Sequence, residues 1–550
     1  MLKLRTLLKL EQIWQKRQNI KQNSGEYGKR YLAELNAEYE KMLKTPIPEL
    51  REEKFAEFKR SGERLAYERD YFLRRTMLRD FALKLWLGDE TAIKPLEAII
   101  DAICDEFTWI LPAHEGKGDL KSQIDLFAAE TAHSLTEIIA LTGDTLSGEI
   151  KERAIGEACA RVLKPFTERT EKYGWEVSVS NWSAVCGGCV GMTALYLIED
   201  KNEVKELLQP LKSAFESYMK SFTDDGACLE GLYYWGYGMT YLTAFLELYR
   251  ERMGEKFPID YAKLKKMADF PHKCCITDGI TLSFSDAGCR DKIYAGLSLY
   301  LTAEYGATPV TDEYLAYFYG DDCGRWCRAA RDIAWSGKQQ KAALPASSVL
   351  PMAQWAVVRG EMPFAIKGGN NGEPHNHNDI GSFVVISGGE PLVIDTGAGE
   401  YTKDYFSDKR YTIFCNRSAG HSVPIIDNTE QSAGGNYAAK DFEFKNGAVR
   451  MDIAGAYSSD KLKRLVREIR QDGRKIILTD TFILSQKAKI RERFIIKDKN
   501  SIERLHTAQQ ATVEINTFHH RTHEGNEAEI TAADFIFEAE GEYTFSLEIE

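Results

Sequence analysis

As far as Trp335, apolar residues return at intervals of three and four; from about Val349 onward they come in short, closely spaced runs. The first spacing is that of one face of an α-helix. It predicts helix after helix, over residues 71–87, 94–107, 125–141, 150–173 and 205–222. Polar breaks such as Thr142-Gly143-Asp144 and Asp224-Asp225-Gly226 punctuate them. Residues 2–14 read as an amphipathic helix, too interrupted by Lys3, Arg5 and Lys9 for a signal-peptide core. Helical hairpins repeated over this length, with no fixed repeat unit, predict an incomplete α/α toroid rather than a bundle or a regular solenoid.

The second pattern predicts strands over 355–359, 382–387, 391–395, 449–453, 467–471, 475–483 and 490–496, and again at 545–550. Most are bounded by Gly, Asn or Asp, as in an antiparallel β-sandwich. The period changes within 336–348, around Lys338-Gln339-Gln340-Lys341. Two domains follow: 1–340, the α/α toroid, and 341–550, the antiparallel β-sandwich. A chain of 550 residues is also too long for one core.

Composition narrows the function. A net charge of −12 argues against a nucleic-acid partner, which would call for a basic face, yet leaves room for a local basic cleft that takes an anionic substrate. No apolar run approaches the ~20 residues of a membrane span. Eleven cysteines, odd in number and without framework spacing, suit a reducing compartment, so the expected location is the cytoplasm. Cys186-Gly187-Gly188-Cys189 has CxxC spacing, but small residues at a helix crossing explain it better than a redox or zinc site. There is no phosphate-cradling glycine loop and no nucleophile elbow.

Candidate chemistry concentrates in His375-Asn376-His377-Asn378-Asp379. In an extended segment His375 and His377 would project to the same face. With Asp395, closing Leu392-Val393-Ile394, and His421 in Ser418-Ala419-Gly420-His421-Ser422, they make a nitrogen and oxygen donor set that suits zinc.

The run Pro374 to Phe383, followed by Ile394-Asp395-Thr396-Gly397, resembles the start of the C-terminal domain of heparinase II/III-type polysaccharide lyases. Three stretches of the helical half resemble that family in the same order: Trp109 to His114 with Ile124-Asp125-Leu126, then Asn181-Trp182-Ser183-Ala184-Val185-Cys186-Gly187-Gly188, then Asp225-Gly226 with Glu230 to Gly238. The resemblance implies a toroid followed by a sandwich. It implies Asn181, Tyr234 or Tyr237, and His375 as catalytic groups, and a structural zinc that shapes the site rather than performing the chemistry, held by His377, Asp395 and His421. His114, Trp182, Glu230, Trp235, Tyr241, Arg290, Asn376 and Arg417 are expected to contact substrate. Some family members carry a histidine near the asparagine; Trp182 and Gly187 stand there here, which leaves the base to a tyrosine and His375.

The implied reaction is β-elimination on a uronic-acid-containing, glycosaminoglycan-type oligo- or polysaccharide. An amide at Asn181 would neutralise the uronate carboxylate while a tyrosine or histidine moves the C5 proton. Glu230, Tyr234, Tyr237 and Tyr241 would fall along one face of a helix. A lyase of alginate or another uronate oligosaccharide is the alternative within that reaction, and two readings outside it stay open. One is a hydrolase with Glu230 and Asp286 as paired carboxylates. The other is a carbohydrate-binding protein without turnover.

Overall fold

The computed structural model describes Ile20 and residues 25–142, 145–338 and 341–550. The helix expected over 2–14 lies outside the described residues, as do Gly143, Asp144, Gln339 and Gln340.

Three helices form the centre of the N-terminal half, and each is apolar almost all round, as a helix enclosed by others must be. Every residue of Leu126–Thr142 is buried. So is every residue of Asn181–Leu197 except Trp182. Leu232–Met253 completes the set, and Asn181–Leu197 packs between the other two. Close approach explains the glycines: a Cβ on Gly188 would stand 2.8 Å from the Tyr241 carbonyl oxygen, and one on Gly191 2.5 Å from the Phe245 ring. The CxxC stretch is therefore a helix crossing, and all eleven cysteines are free thiols.

Two expected helices are interrupted, each by a proline. Residues 205–222 form Lys201–Leu208 and Leu211–Lys220, with Pro210 between them. Residues 150–173 run as Gly148–Ala158, a π turn Cys159–Leu163 and a last turn Lys164–Glu168. Pro165 has no N–H for the Arg161 carbonyl, and widening the preceding turn accommodates the missing bond. No helix among the described residues is long and apolar enough to cross a membrane.

Helix gives way to strand between Trp326–Ala334 and Ser347–Leu350. The C-terminal half is built on a 13-stranded sheet whose pairings are antiparallel. Residues 475–483 and 490–496 belong to one 22-residue strand, Lys475–Ile496, paired along its length with Glu527–Ile549. The register shifts between Leu484 and Ala488, at the polar interval that separated the two runs. Alternate residues Ile476, Leu478 and Phe482 meet Phe383, Phe494, Phe535 and Phe545 in the sandwich core.

The halves are docked through apolar surface. Trp355 of the first strands is 1% exposed and packs against Phe270 and Phe284 of the helical half. Arg359 Nε donates to the Cys275 carbonyl at 2.9 Å. This contact fixes the loop after Phe284, which carries Asp286 into the other domain.

Candidate active site and metal centre

The turn that opens at Glu373 holds His375 in the left-handed region, at φ +54°. A non-glycine residue there is strained, and such strain gathers at functional sites. The two histidines consequently do not share a face, as an extended segment would require. The His375 side chain is 20% exposed where the two halves meet, while the His377 side chain is fully buried.

Both rings nevertheless meet one carboxylate. His375 Nδ1 lies 2.7 Å from Asp286 Oδ2, and His377 Nε2 lies 3.0 Å from Oδ1. Tyr401 Oη donates to Oδ2 at 2.8 Å, and the Tyr405 hydroxyl donates to Oδ1. Arg410 Nη2 stands 3.7 Å away. Burial opposes the charged carboxylate, but the hydrogen bonds and charges of the two histidines outweigh it and hold Asp286 well below the usual range. Burial likewise opposes a charged His375, and the Asp286 hydrogen bond with the charges of Asp286 and Glu230 raises its pKa overall.

Across the cleft, Asn181 opens its helix with its side chain turned back to Glu230. Asn181 Nδ2 donates to Glu230 Oε2 at 2.8 Å and its backbone N–H to Oε1 at 3.1 Å. Glu230 Oε2 is 3.6 Å from His375 Nε2. Burial raises the Glu230 pKa, against the His375 charge and the two Asn181 hydrogen bonds. Glu230 precedes the helix that starts at Leu232, so it does not share a helix face with the tyrosines; Gly231 at φ +96° makes the bend between them.

Of Tyr234, Tyr237 and Tyr241 on that helix, one reaches the cluster. Tyr234 stacks on His375 with ring centroids 4.3 Å apart, and its hydroxyl lies 2.5 Å from that of Tyr401. Burial, then the Asp286 charge, pushes its pKa well above the ordinary phenol value, so it stays protonated. With a helical rise of ~1.5 Å per residue, Tyr237 and Tyr241 lie one and two turns deeper. The Tyr237 hydroxyl donates to Glu130, with the Arg325 guanidinium 4.1 Å from the ring centroid. Tyr241, 1% exposed, packs against Tyr237.

Other expected contacts separate in the same way. His114 and Trp182 remain beside Asn181, their rings in edge contact at 4.7 Å, with His114 Nδ1 2.7 Å from Asp125 Oδ2. Trp235 is a core residue, 1% exposed with its indole N–H given to the Met267 carbonyl; like Tyr241, it is packed inside the helical half and offers no surface to a ligand. Asn376 is buried, its Oδ1 accepting from Tyr411 Oη at 2.9 Å and its Nδ2 donating to the His377 carbonyl, so its amide holds the loop rather than a ligand. Arg290 pairs with Glu390 at 3.1 Å and Arg417 with Glu430 at 3.0 Å, both as surface ion pairs.

Sequence reading missed Tyr401, Tyr405 and Arg410 and met Asp286 only as half of a carboxylate pair. The i, i+4 tyrosines that follow Gly397-Ala398-Gly399 were the available signal.

Below His375 lies a second cluster. One donor atom from each of His377, Asp395 and His421 falls within 4.8 Å of the others. His377 Nδ1 is buried without a hydrogen-bond partner, and His421 Nδ1 and Asp395 Oδ2, buried beside it, have only each other, 3.4 Å apart. The opposite ring nitrogens are occupied, His377 Nε2 by Asp286 and His421 Nε2 by the Cys415 carbonyl at 2.7 Å. Unpaired buried polar atoms are costly. Two imidazoles anchored through their outer nitrogens and a carboxylate are donor types that could hold a metal ion such as zinc.

Residues 342–549 match the family model described as Heparinase II/III-like, C-terminal. A crystal structure of heparinase III superposes with a TM-score of 0.58 at 14% identity, covering 98% of this chain and 91% of that one. Heparan sulfate lyase HepC from Pedobacter heparinus gives 0.56 at 14% identity, over 98% and 87%. A Paenibacillus xanthan lyase gives 0.52 at 9% identity, over 98% and 59%. The toroid-then-sandwich fold is thus common to all of them across both halves. No curated protein sequence matches the chain.

Proposed function

We propose that the chain is a polysaccharide lyase that cleaves uronic-acid-containing glycans by β-elimination, with heparan-sulfate-type glycosaminoglycans the favoured substrates. The observation that carries this reading is the convergence of an amide, a phenol and an imidazole from separate segments on one cleft: Asn181, Tyr234 and His375.

Each group supplies what elimination needs. The C5 proton of a uronate is weakly acidic until the adjacent carboxylate is neutralised. Asn181 has a second amide N–H beyond the one given to Glu230, and donating it to the substrate carboxylate stabilises the charge that develops when C5–H breaks. Tyr234 and His375, stacked, reach the same region and form the proton-transfer pair. One takes the C5 proton and the other delivers a proton to O4 as the C4–O4 bond breaks and C4=C5 forms. His114 and Trp182 line the approach beside Asn181.

The paired-carboxylate alternative is weaker in this site. Asp286 is saturated by His375, His377, Tyr401 and Tyr405, and Glu230 is held twice by Asn181, so neither is free to activate a water. Mass spectrometry of the products separates the two chemistries. Elimination gives fragments whose masses sum to that of the substrate; fragments heavier by one water would sink the lyase reading.

His377, Asp395 and His421 are proposed to hold one zinc ion, which when bound supplies a fixed cation cross-linking the loops that carry His375 and Cys415. Metal analysis of the purified protein is expected to give about one equivalent of zinc, falling severalfold in His421→Ala. Negligible metal in the wild type, with full activity after chelation, would show that the cluster works without it.

A further inference from the structure

We propose that Asp286 is the positioning residue of the site: one carboxylate of the helical half fixes the proton on both histidines and, through Tyr401, the direction of the Tyr234 hydroxyl. Its catalytic arm rests on the lyase reading, and its metal arm does not.

An ionised carboxylate accepts and never donates, with about four lone-pair positions to fill. The Asp286 side chain is fully buried and meets four donors, so its partners cannot be exchanged for water. Each contact then has one direction. His375 gives its Nδ1–H, which leaves Nε2 as the nitrogen that exchanges a proton with substrate. His377 gives its Nε2–H, which leaves the Nδ1 lone pair facing Asp395 and His421. Tyr401 gives its proton to Oδ2, so in its 2.5 Å contact with Tyr234 it accepts. The Tyr234 proton therefore points at Tyr401, and a Tyr234 lone pair faces the substrate side, able to take the C5 proton as Tyr234 passes its own to Tyr401 and Tyr401 passes its own to Asp286.

Asp286 is also held from behind. Ser285 stands at φ +64° and its hydroxyl donates to the Leu229 carbonyl at 3.0 Å, tying this loop to the neighbour of Glu230. All four donors belong to the C-terminal half, so the arrangement exists only where the halves are docked.

Two variants test this. Asp286→Asn keeps the side-chain shape while replacing one acceptor oxygen by a donor. It is expected to weaken zinc binding, read by competition with a chromophoric chelator, about 10- to 100-fold. Its kcat on a cleavable uronate glycan is expected to fall ~10³-fold or more with KM within severalfold, as when a tautomer-setting carboxylate is lost elsewhere. Tyr401→Phe breaks only the branch to Tyr234; kcat is expected to fall about 10-fold, with zinc affinity within a factor of about two of wild type, since the His377 contact is untouched. Wild-type zinc affinity in Asp286→Asn, or wild-type kcat in Tyr401→Phe, would overturn the proposal. If Asp286→Asn does not fold, Tyr401→Phe decides by the same criterion. If the wild type cleaves no uronate glycan, the lyase reading fails and zinc affinity in Asp286→Asn alone decides the role of Asp286.

Discussion

Replacing Tyr234 by phenylalanine is expected to lower kcat by about 10³-fold, within the range that a proton-transfer group contributes, with KM changed by no more than severalfold. The substitution removes one oxygen and leaves the ring stacked on His375, so the loss is in proton transfer rather than packing. Tyr237→Phe is the informative contrast. Its hydroxyl serves Glu130 inside the toroid, so kcat is expected within a few-fold of wild type while stability falls by about 1–3 kcal/mol, the cost of leaving a buried acceptor without its donor. Steady-state kinetics and thermal melts on the two variants check this. Equal losses of kcat would place both phenols in the reaction.

The second large effect is on stability. Arg467 has no exposed side-chain surface and donates to Asp480 at 2.6 Å and 2.9 Å, with Glu492 at 3.3 Å. It also donates to the Gly381 and Ser422 carbonyls, at 2.8 and 2.7 Å, beside the segments that carry His377 and His421. Burial and the Asp480 charge push the Glu492 pKa well above normal. Arg467→Met strands Asp480 in an apolar interior, and breaking such a buried pair costs about 3–5 kcal/mol. For a domain of this size that is a fall in Tm on the order of 10 °C. Arg474, whose side chain is 88% exposed, pairs loosely with Glu361 at 3.7 Å; Arg474→Met is expected to change stability by less than about 0.5 kcal/mol. Differential scanning calorimetry of both variants measures the difference; equal melting temperatures would refute it.

Much of the architecture was legible because the two halves bury apolar surface with different periods, and the change of period marks the passage from Ala334 to Ser347. The motif histidines were legible for a related reason: two imidazoles one residue apart in a polar loop have few packing explanations. What stayed hidden depends on depth and on partners remote in the chain. Helical spacing places Tyr234, Tyr237 and Tyr241 on one face, but only the fold says which turn of the helix reaches the cleft. Asp286 meets residues 89 to 119 positions away, and no local pattern announces such a contact. Pro210 and Pro165 were visible punctuation, and each did what a missing N–H requires.

The central claim is elimination at a uronate. Its most direct measurement is ultraviolet absorbance during incubation of the zinc-supplemented wild type with heparan sulfate, chondroitin sulfate, hyaluronan and alginate, polymers and oligomers alike. The C4=C5 bond conjugated to the carboxylate absorbs where the intact glycan does not. A steady rise with at least one of these substrates, abolished in Tyr234→Phe, is the expected result. A flat trace with every one of them would contradict it.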